Sequence, residues 1–515
     1  MSKNLHKENL YSQENAKYRR YNVLSESGQA MLVSYKKGIK AMLDLPASDP
    51  RNWFRHAFIH FLDCPHGNWW FPVWHRVYLH GFEKIIRTLS NDPNFTLPYW
   101  DWTQSPEIPY SMFEGVLTPT HEQYRPYTND ENIFTNFIKS DLNTYWNRMK
   151  TSQNEQMKER GYNSFDDMWQ AMLGYEDGKQ DPKNEAFAPT DNARYLSTTN
   201  RSLDNDTTNS VSSPTIYSAL APQLFYSPHA TLSFSSPETD SHLIQPNKPT
   251  FSILEGQPHN SVHNCVGGVD HVVPPYGNMA GFLSSVDPIF FLHHANIDRL
   301  WDVWARKQQK LRLRDDPSRL DERARYYDEP FLFFCSETGQ PQEAIPLSYH
   351  DLGRLDYDYE PGSGENIIPT AVPADIDDST VYTGVTNGNS TSIDIPSQFL
   401  GLANGTQKSL IAAISFSRPE KGRSFDVLVN APQGTTTVDT DSPYYAGSIA
   451  FFGPPMSGMA MSDEVTFTLT LPQTLKIFHT TYTGEFATLT FTVVPSVNTP
   501  GEQPLMIQTL SVRAL

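Results

Sequence analysis

The stretch HGNWWFPVWHRVYLHGFEKIIRTL, His66–Leu89, decides how the chain folds. From Phe71 onward its apolar residues return at three- and four-residue steps: Trp74, Val77, Tyr78, Gly81, Phe82, Ile85, Ile86 and Leu89. That spacing predicts a helix with one buried face. Pro72 suits its first turn, where a missing N–H costs nothing. A second helix is expected over 287–310, with Asp287 as its cap and Pro288 at its first position. Its stripe runs Phe290, His294, Ile297, Trp301 and Trp304, and the charged run Arg306 to Arg314 reads as its solvated end.

Working outward, the histidines are unevenly placed. His56, His60, His66, His75 and His80 fall within 25 residues, and His259, His263, His271, His293 and His294 within 36. Ten of the 16 therefore crowd into two short windows set in aromatic sequence, which single core histidines do not explain. Neutral imidazole is the commonest biological metal ligand and suits copper, zinc, iron and nickel. His259 and His263 are four apart, so a helix starting at Pro258 stacks both rings on one face. No Glu follows His259, so this is not the HExxH arrangement of zinc proteases. No carboxylate sits at ligand-like spacing, which points to all-nitrogen coordination.

The rest of the 515 residues divides by pattern. Between 197 and 213, 14 of 17 residues are Ser, Thr, Asn or Asp, which reads as a mobile surface insertion. The Pro-, Gly- and acid-rich segment from Glu360 to Ser379 reads as a linker. Beyond it the period falls to two. Phe425, Val427 and Val429 alternate with Asp426, Leu428 and Asn430; Val465, Phe467, Leu469 and Leu471 alternate with threonines; Leu489, Phe491 and Val493 do the same. These are strands with one buried face, expected to form a small antiparallel sandwich. The expected domains are thus 1–360, a linker at 361–379, and an all-β sandwich at 380–515.

With 38% hydrophobic and 19% charged residues the chain can bury a large core. Its net charge of −18 disfavours nucleic acid and anionic lipid as partners. Three cysteines, Cys64, Cys265 and Cys335, are too few for a disulfide scaffold and fit a reducing compartment. No apolar run long enough to span a membrane occurs, and the N-terminal residues show no signal peptide. Those features lead to the expectation of a cytoplasmic protein.

The string HGNWWFPVWHRVYLHGFE, His66–Glu83, resembles the first copper motif of tyrosinases, catechol oxidases and molluscan hemocyanins, and DPIFFLHHANID, Asp287–Asp298, resembles their second. The resemblance covers roughly 20–360. It implies a mainly α catalytic domain in which a four-helix bundle holds two copper ions, three histidines each. Carried onto this chain, it makes His66 and His75 ligands of the first copper. His60 is the best third, with His56, one turn earlier on the same face, as its rival. His259 and His263 serve the second copper with one of His293 and His294; the family pattern and the helical stripe both favour His294.

Cys64 stands at the spacing of a Cys–His thioether known in the family, against the alternative of a buried free thiol. Cys265 and Cys335 read as core thiols. Glu255 and Asn260 match the pair that holds a water proposed as the base for phenol deprotonation; the alternative for Glu255 is to orient a ligand ring. The implied reaction is ortho-hydroxylation of monophenols and oxidation of o-diphenols to o-quinones, with dioxygen as co-substrate and small phenols as partners. A catechol oxidase without useful hydroxylation, an oxygen carrier of the hemocyanin kind and a zinc hydrolase are the competing readings.

Small Ala280 and Gly281 suggest an open mouth. Tyr357-Asp358-Tyr359 resembles the signature closing the catalytic domain of plant and fungal relatives. SFDVLVNAP and YYAGSIAFFGPP more weakly resemble the C-terminal shielding domain of plant polyphenol oxidases. A shield implies a plug, for which Phe451, Phe452, Met456 and Met459 are unranked candidates.

Overall fold

A computed structural model describes residues 16–176, 178–181, 193–244, 250–370, 381–400, 410–417, 423–453, 464–497 and 505–514. Six helices position the site: α1 (Glu26–Asp44), α2 (Trp53–Asp63), α3 (Phe71–Ser90), α4 (Asn205–Ser210), α5 (Asn260–Gly267) and α6 (Ile289–Leu311). Asn52 caps α2 by accepting from the backbone N–H groups of Phe54 and Arg55. Asn91, left-handed at φ 55°, ends α3, and Arg312 at φ 59° ends α6. α2 and α5 are buried all round, as are the first two-thirds of α6, so these helices are core on every face. The protein is a helical body around this centre, followed by a C-terminal β region.

Buried charge cross-ties the body. Asp298, from the second motif, accepts from Arg76 Nε at 2.6 Å, from Tyr357 and Tyr359 hydroxyls at 2.8 and 2.6 Å, and from Arg20 at 3.3 Å. Arg20 also donates to Glu83 at 2.9 Å. This joins α3 and α6 to a parallel pair of strands, β1 (Tyr18–Arg20) and β3 (Tyr357–Tyr359). Between them in the chain lies β2 (Thr250–Phe251).

The C-terminal strands are β4 (Val381–Gly388), β5 (Ser390–Pro396), β6 (Leu410–Ser417), β7 (Ser424–Val429), β8 (Tyr445–Ala450), β9 (Glu464–Leu471), β10 (Phe486–Pro495) and β11 (Ile507–Ala514). They form two sheets, ordered β2-β9-β6-β11-β4 and β8-β7-β10-β5. The body thus contributes β2 to the first sheet, parallel to β9 with Thr250 opposite Thr466 and Phe251 opposite Phe467. Phe425, Val427, Phe467, Leu489 and Phe491 share the core between the sheets.

Three expectations change here. The polar stretch 197–213 is not a mobile insertion. Asp204 caps α4 by accepting from Thr207 N at 2.7 Å, and Ser210, fully buried, bonds to Ser261 on α5, so internal partners satisfy its polar groups. β7 does not have one exposed face: Asp426 and Leu428 are buried as well, because the helical body covers the outer face of this sheet. The run from Arg306 is only partly solvated, since Lys307 is buried and donates to the carbonyls of Leu220, Ala221 and Pro222, closing the short helix Ser213–Leu220. Segment 361–370 packs on the body through Ser363 N to Asp101 and Arg306 to Glu365; 371–380 lies outside the described residues. Among the described residues no helix is long and apolar enough to cross a membrane.

Candidate metal centre

Six histidines from both sequence clusters meet in the middle of the body. His60 comes from α2, His66 from the loop before α3, and His75 from α3. Their ring centroids form a triangle with every side 5.5 Å. His259 and His263 are one turn apart at α5, and His294 sits on α6. Their centroids lie 4.6, 5.0 and 5.4 Å apart. The triangles share a wall: His75 and His294 stack at 4.3 Å. Pro258 does not begin this helix, because a wide turn over Glu255–His259 runs into α5 and holds Pro258 inside it.

Hydrogen bonds fix which nitrogen four of the six rings offer. Nδ1–H of His60 donates to Phe282 O at 2.7 Å, His75 to Phe71 O at 2.8 Å, His263 to Met279 O at 2.7 Å, and His259 to Asn260 Oδ1 at 2.8 Å. In each case Nε2 keeps its lone pair and faces inward. The Nε2 atoms of His60 and His75 stand 3.4 Å apart, and those of His263 and His294 3.1 Å apart. At His60 and His75, whose Nδ1–H groups are both donated elsewhere, two lone pairs face each other and repel; a cation shared by both turns that contact into an attraction. His259 Nε2 is buried with no hydrogen-bond partner. Burial holds the rings neutral, pushing His60 and His259 down to about 3 and keeping His66, His75, His263 and His294 well below the usual value. An all-imidazole donor set of this kind fits copper.

The remaining clustered histidines do other things. His56 stacks on Tyr78 at 4.8 Å, away from both triangles. His80 lies beside Tyr349 and Tyr357, and His271 pairs with Asp204 at 2.8 Å. His293 is within reach of the second triangle, but its Nδ1 accepts from Trp102 Nε1 at 3.1 Å. Indole only donates, so the His293 proton sits on Nε2 and neither nitrogen has a lone pair to give. Nothing in the sequence pairs Trp102 with His293.

Around the triangles, Cys64 Sγ lies 3.5 Å from His66 Nδ1, and all three cysteines are free and buried. Glu255 is fully buried, accepts from Gly67 N at 2.6 Å and pairs with Ser236 Oγ at 2.5 Å; burial raises its pKa to about 8. Asn260 uses its oxygen on His259 and its Nδ2 on Ala450 O of β8 at 2.8 Å.

The mouth is closed rather than open. Ala280 and Gly281 are buried, and Arg423 of the β region donates to Ala280 O at 2.8 Å. Over the site lies Phe452, with centroids 4.9 Å from His66, 4.3 Å from His263, 5.4 Å from His259 and 5.5 Å from Phe282. Phe451 instead packs into the sandwich against Phe416, Phe425 and Phe467, while Met456 and Met459 lie outside the described residues.

Known proteins agree with this geometry. Residues 36–307 match the family profile "Common central domain of tyrosinase". The chain is 25% identical over 351 residues to the chloroplastic polyphenol oxidase of Spinacia oleracea and 28% identical over 344 to that of Vitis vinifera. Each match covers 64% of this chain and 45% of the relative, so the chain spans about half the length of the curated relatives it matches. Among solved structures, a latent aurone synthase (polyphenol oxidase) superposes with TM-score 0.57 at 21% identity, covering 97% of this chain and 90% of that one. A latent apple tyrosinase superposes with TM-score 0.52 at 19% identity, covering 96% and 97%. The expectation of a cytoplasmic protein is overturned by these relatives, which are chloroplastic proteins. A family profile matched by more than half of the chain, on the segment that brings the two histidine triangles together, makes the chain a member of the tyrosinase family.

Proposed function

We propose that the chain oxidises small phenols with dioxygen at two copper ions, the first held by His60, His66 and His75 and the second by His259, His263 and His294. The observation that carries the proposal is the meeting of two trios of neutral, inward-facing imidazoles across the His75–His294 stack. When bound, the pair of ions supplies dioxygen with electrons, one from each ion. The chain's own residues do the positioning. Backbone carbonyls of Phe71, Met279 and Phe282 and the Asn260 amide hold the Nδ1–H of His75, His263, His60 and His259 and turn those four lone pairs inward. Phe71, Phe282 and Phe290 pack on these rings, exclude water and give a planar phenol an apolar wall. A catechol then leaves as an o-quinone after losing two electrons and two protons, and one dioxygen, reduced to water, serves two catechols.

Ortho-hydroxylation of monophenols is the finer reading. A free phenol has a pKa of about 10, so a base must take its proton. Glu255, at about 8, is poised near neutral pH for that task. Asn260 contributes only once Ala450 O is withdrawn from its Nδ2.

That contact supports reading 380–515 as a shielding domain that makes the chain latent, with Phe452 as the plug. The latent relatives of the same two-part layout are consistent with it. Copper stoichiometry and oxygen uptake with a catechol and a p-substituted monophenol, before and after cleavage within 371–379, test the whole proposal. Two copper ions per chain and quinone formation that rises on cleavage are expected. Reversible oxygen binding without quinone, or zinc in place of copper, refutes it.

A further inference from the structure

We infer that His242, held between Asp63 and Glu329, is a positioning residue for the first histidine triangle. The inference rests on the two-copper reading above. His242 belongs to neither motif, and its side chain is fully buried. Nε2 lies 2.9 Å from Asp63 Oδ1 and Nδ1 2.6 Å from Glu329 Oε1, the oxygen that also accepts from His242 N at 2.8 Å. Ionised carboxylates only accept, and a neutral imidazole has one N–H, so two such bonds require a proton on both nitrogens. Burial opposes that charge, but Asp63 and then Glu329 overcome it and raise the pKa to about 9. The other groups packed on the ring carry no charge: Phe331, edge-on at 4.9 Å, and Asn68, whose Nδ2 donates to His242 O. The charged neighbours along the same segment are Glu159, bonded to Ser241, and Arg325, paired with Asp240 and Glu238.

From this ion the contacts run to His60 and His75, and along the chain from Asn68 to His66. Asp63 ends α2 three residues after His60, and its Oδ2 accepts from Trp74 Nε1 at 2.6 Å. Trp74 stands edge-on to His60 at 5.8 Å and beside His75 at 5.0 Å. Asn68 follows His66 in the loop and caps Trp70 N at the start of α3. At the same end of α2, Arg160 donates to the carbonyls of Phe61 and Cys64. Removing the His242 charge leaves Asp63 and Glu329 buried without a counter-ion, a strongly unfavourable state. The relief open to Asp63 is to move, and Trp74, His60 and His75 move with it.

The test is copper release from the reconstituted full chain into a competing chelator between pH 6 and 10. His60→Ala and His263→Ala identify which phase belongs to which ion. The stabilising proton is fully in place below about 6.5 and is lost as pH rises through about 9, so first-copper release in the wild type accelerates there. His242→Gln releases the first copper about 10- to 100-fold faster at pH 7 and shows no inflection near 9, while second-copper release is unchanged. Glu329→Gln, which keeps the Asp63–His242 pair, moves the inflection below 9 and covers the case in which His242→Gln does not fold. Wild-type release profiles in both variants, or equal loss of both ions, overturn the inference. A wild-type chain that takes up no copper overturns the metal reading and this one with it.

Discussion

Replacing Phe452 with alanine is the sharpest perturbation the fold offers. The side chain is only 9% exposed, so nearly all of its ring is removed from water when the shield is closed. Burying a phenylalanine contributes about 1.5–3 kcal/mol, and at about 1.4 kcal/mol per factor of ten its loss shifts the open-to-closed ratio by about 10- to 150-fold. The substitution also vacates a space the size of a benzene ring between His66, His263 and Phe282, which is the size of the substrate. Both effects act in one direction. Oxygen uptake by the intact variant with a small catechol is expected to rise at least about tenfold over the intact wild type, by the lower bound of that range. Phe451→Ala is the control: its ring lies in the sandwich core, so it lowers thermal stability without the same gain. Copper content must be equal in all three. An intact Phe452→Ala chain no more active than wild type refutes the plug.

Other outcomes follow from the same contacts. Asp426 is pushed up to about 7, first by burial and then by Asp206 across the domain contact. The closed shield therefore keeps a proton that the open one releases, and closing weakens as pH rises from about 4 to about 7. Intact-chain activity should climb over that window relative to a nicked sample, and Asp426→Asn should flatten the climb and deepen latency at neutral pH. His294→Gln should lose the second copper, whereas His293→Gln should keep two, because Trp102 already takes the lone pair of His293; copper stoichiometry decides. With Cys64 Sγ 3.5 Å from His66 Nδ1, loading copper in air should remove the mass of two hydrogens and block Cys64 to thiol reagents. An unchanged mass would leave Cys64 a free buried thiol.

The helices Phe71–Ser90 and Ile289–Leu311 are legible in sequence because a helix with a core face writes its period into the apolar residues. The histidine sets are legible because they crowd into two short windows of the sequence. What is not legible depends on partners far away in the chain. The polar run 197–213 reads as a mobile insertion until Ser261 and His271 are seen pairing with Ser210 and Asp204. Asp426 reads as a solvent-facing strand position until the helical body covers it. Choosing Phe452 over Phe451 requires knowing which way the chain turns after β8, and adjacent phenylalanines carry no such signal. His242 stands in unremarkable sequence, and only folding brings Asp63 and Glu329 to its two nitrogens.

The two-residue strand β2 gives the body a place in the shield's own sheet, opposite Thr466 and Phe467 and four residues ahead of Glu255. On the shielding reading, cutting the covalent connection should leave the C-terminal region bound as a separate ligand with a finite dissociation constant. Occupancy then depends on how much protein is in the tube. Specific activity of a nicked sample should climb on dilution and fall again on reconcentration, while the intact chain, whose shield is tethered at fixed effective concentration, is indifferent to both.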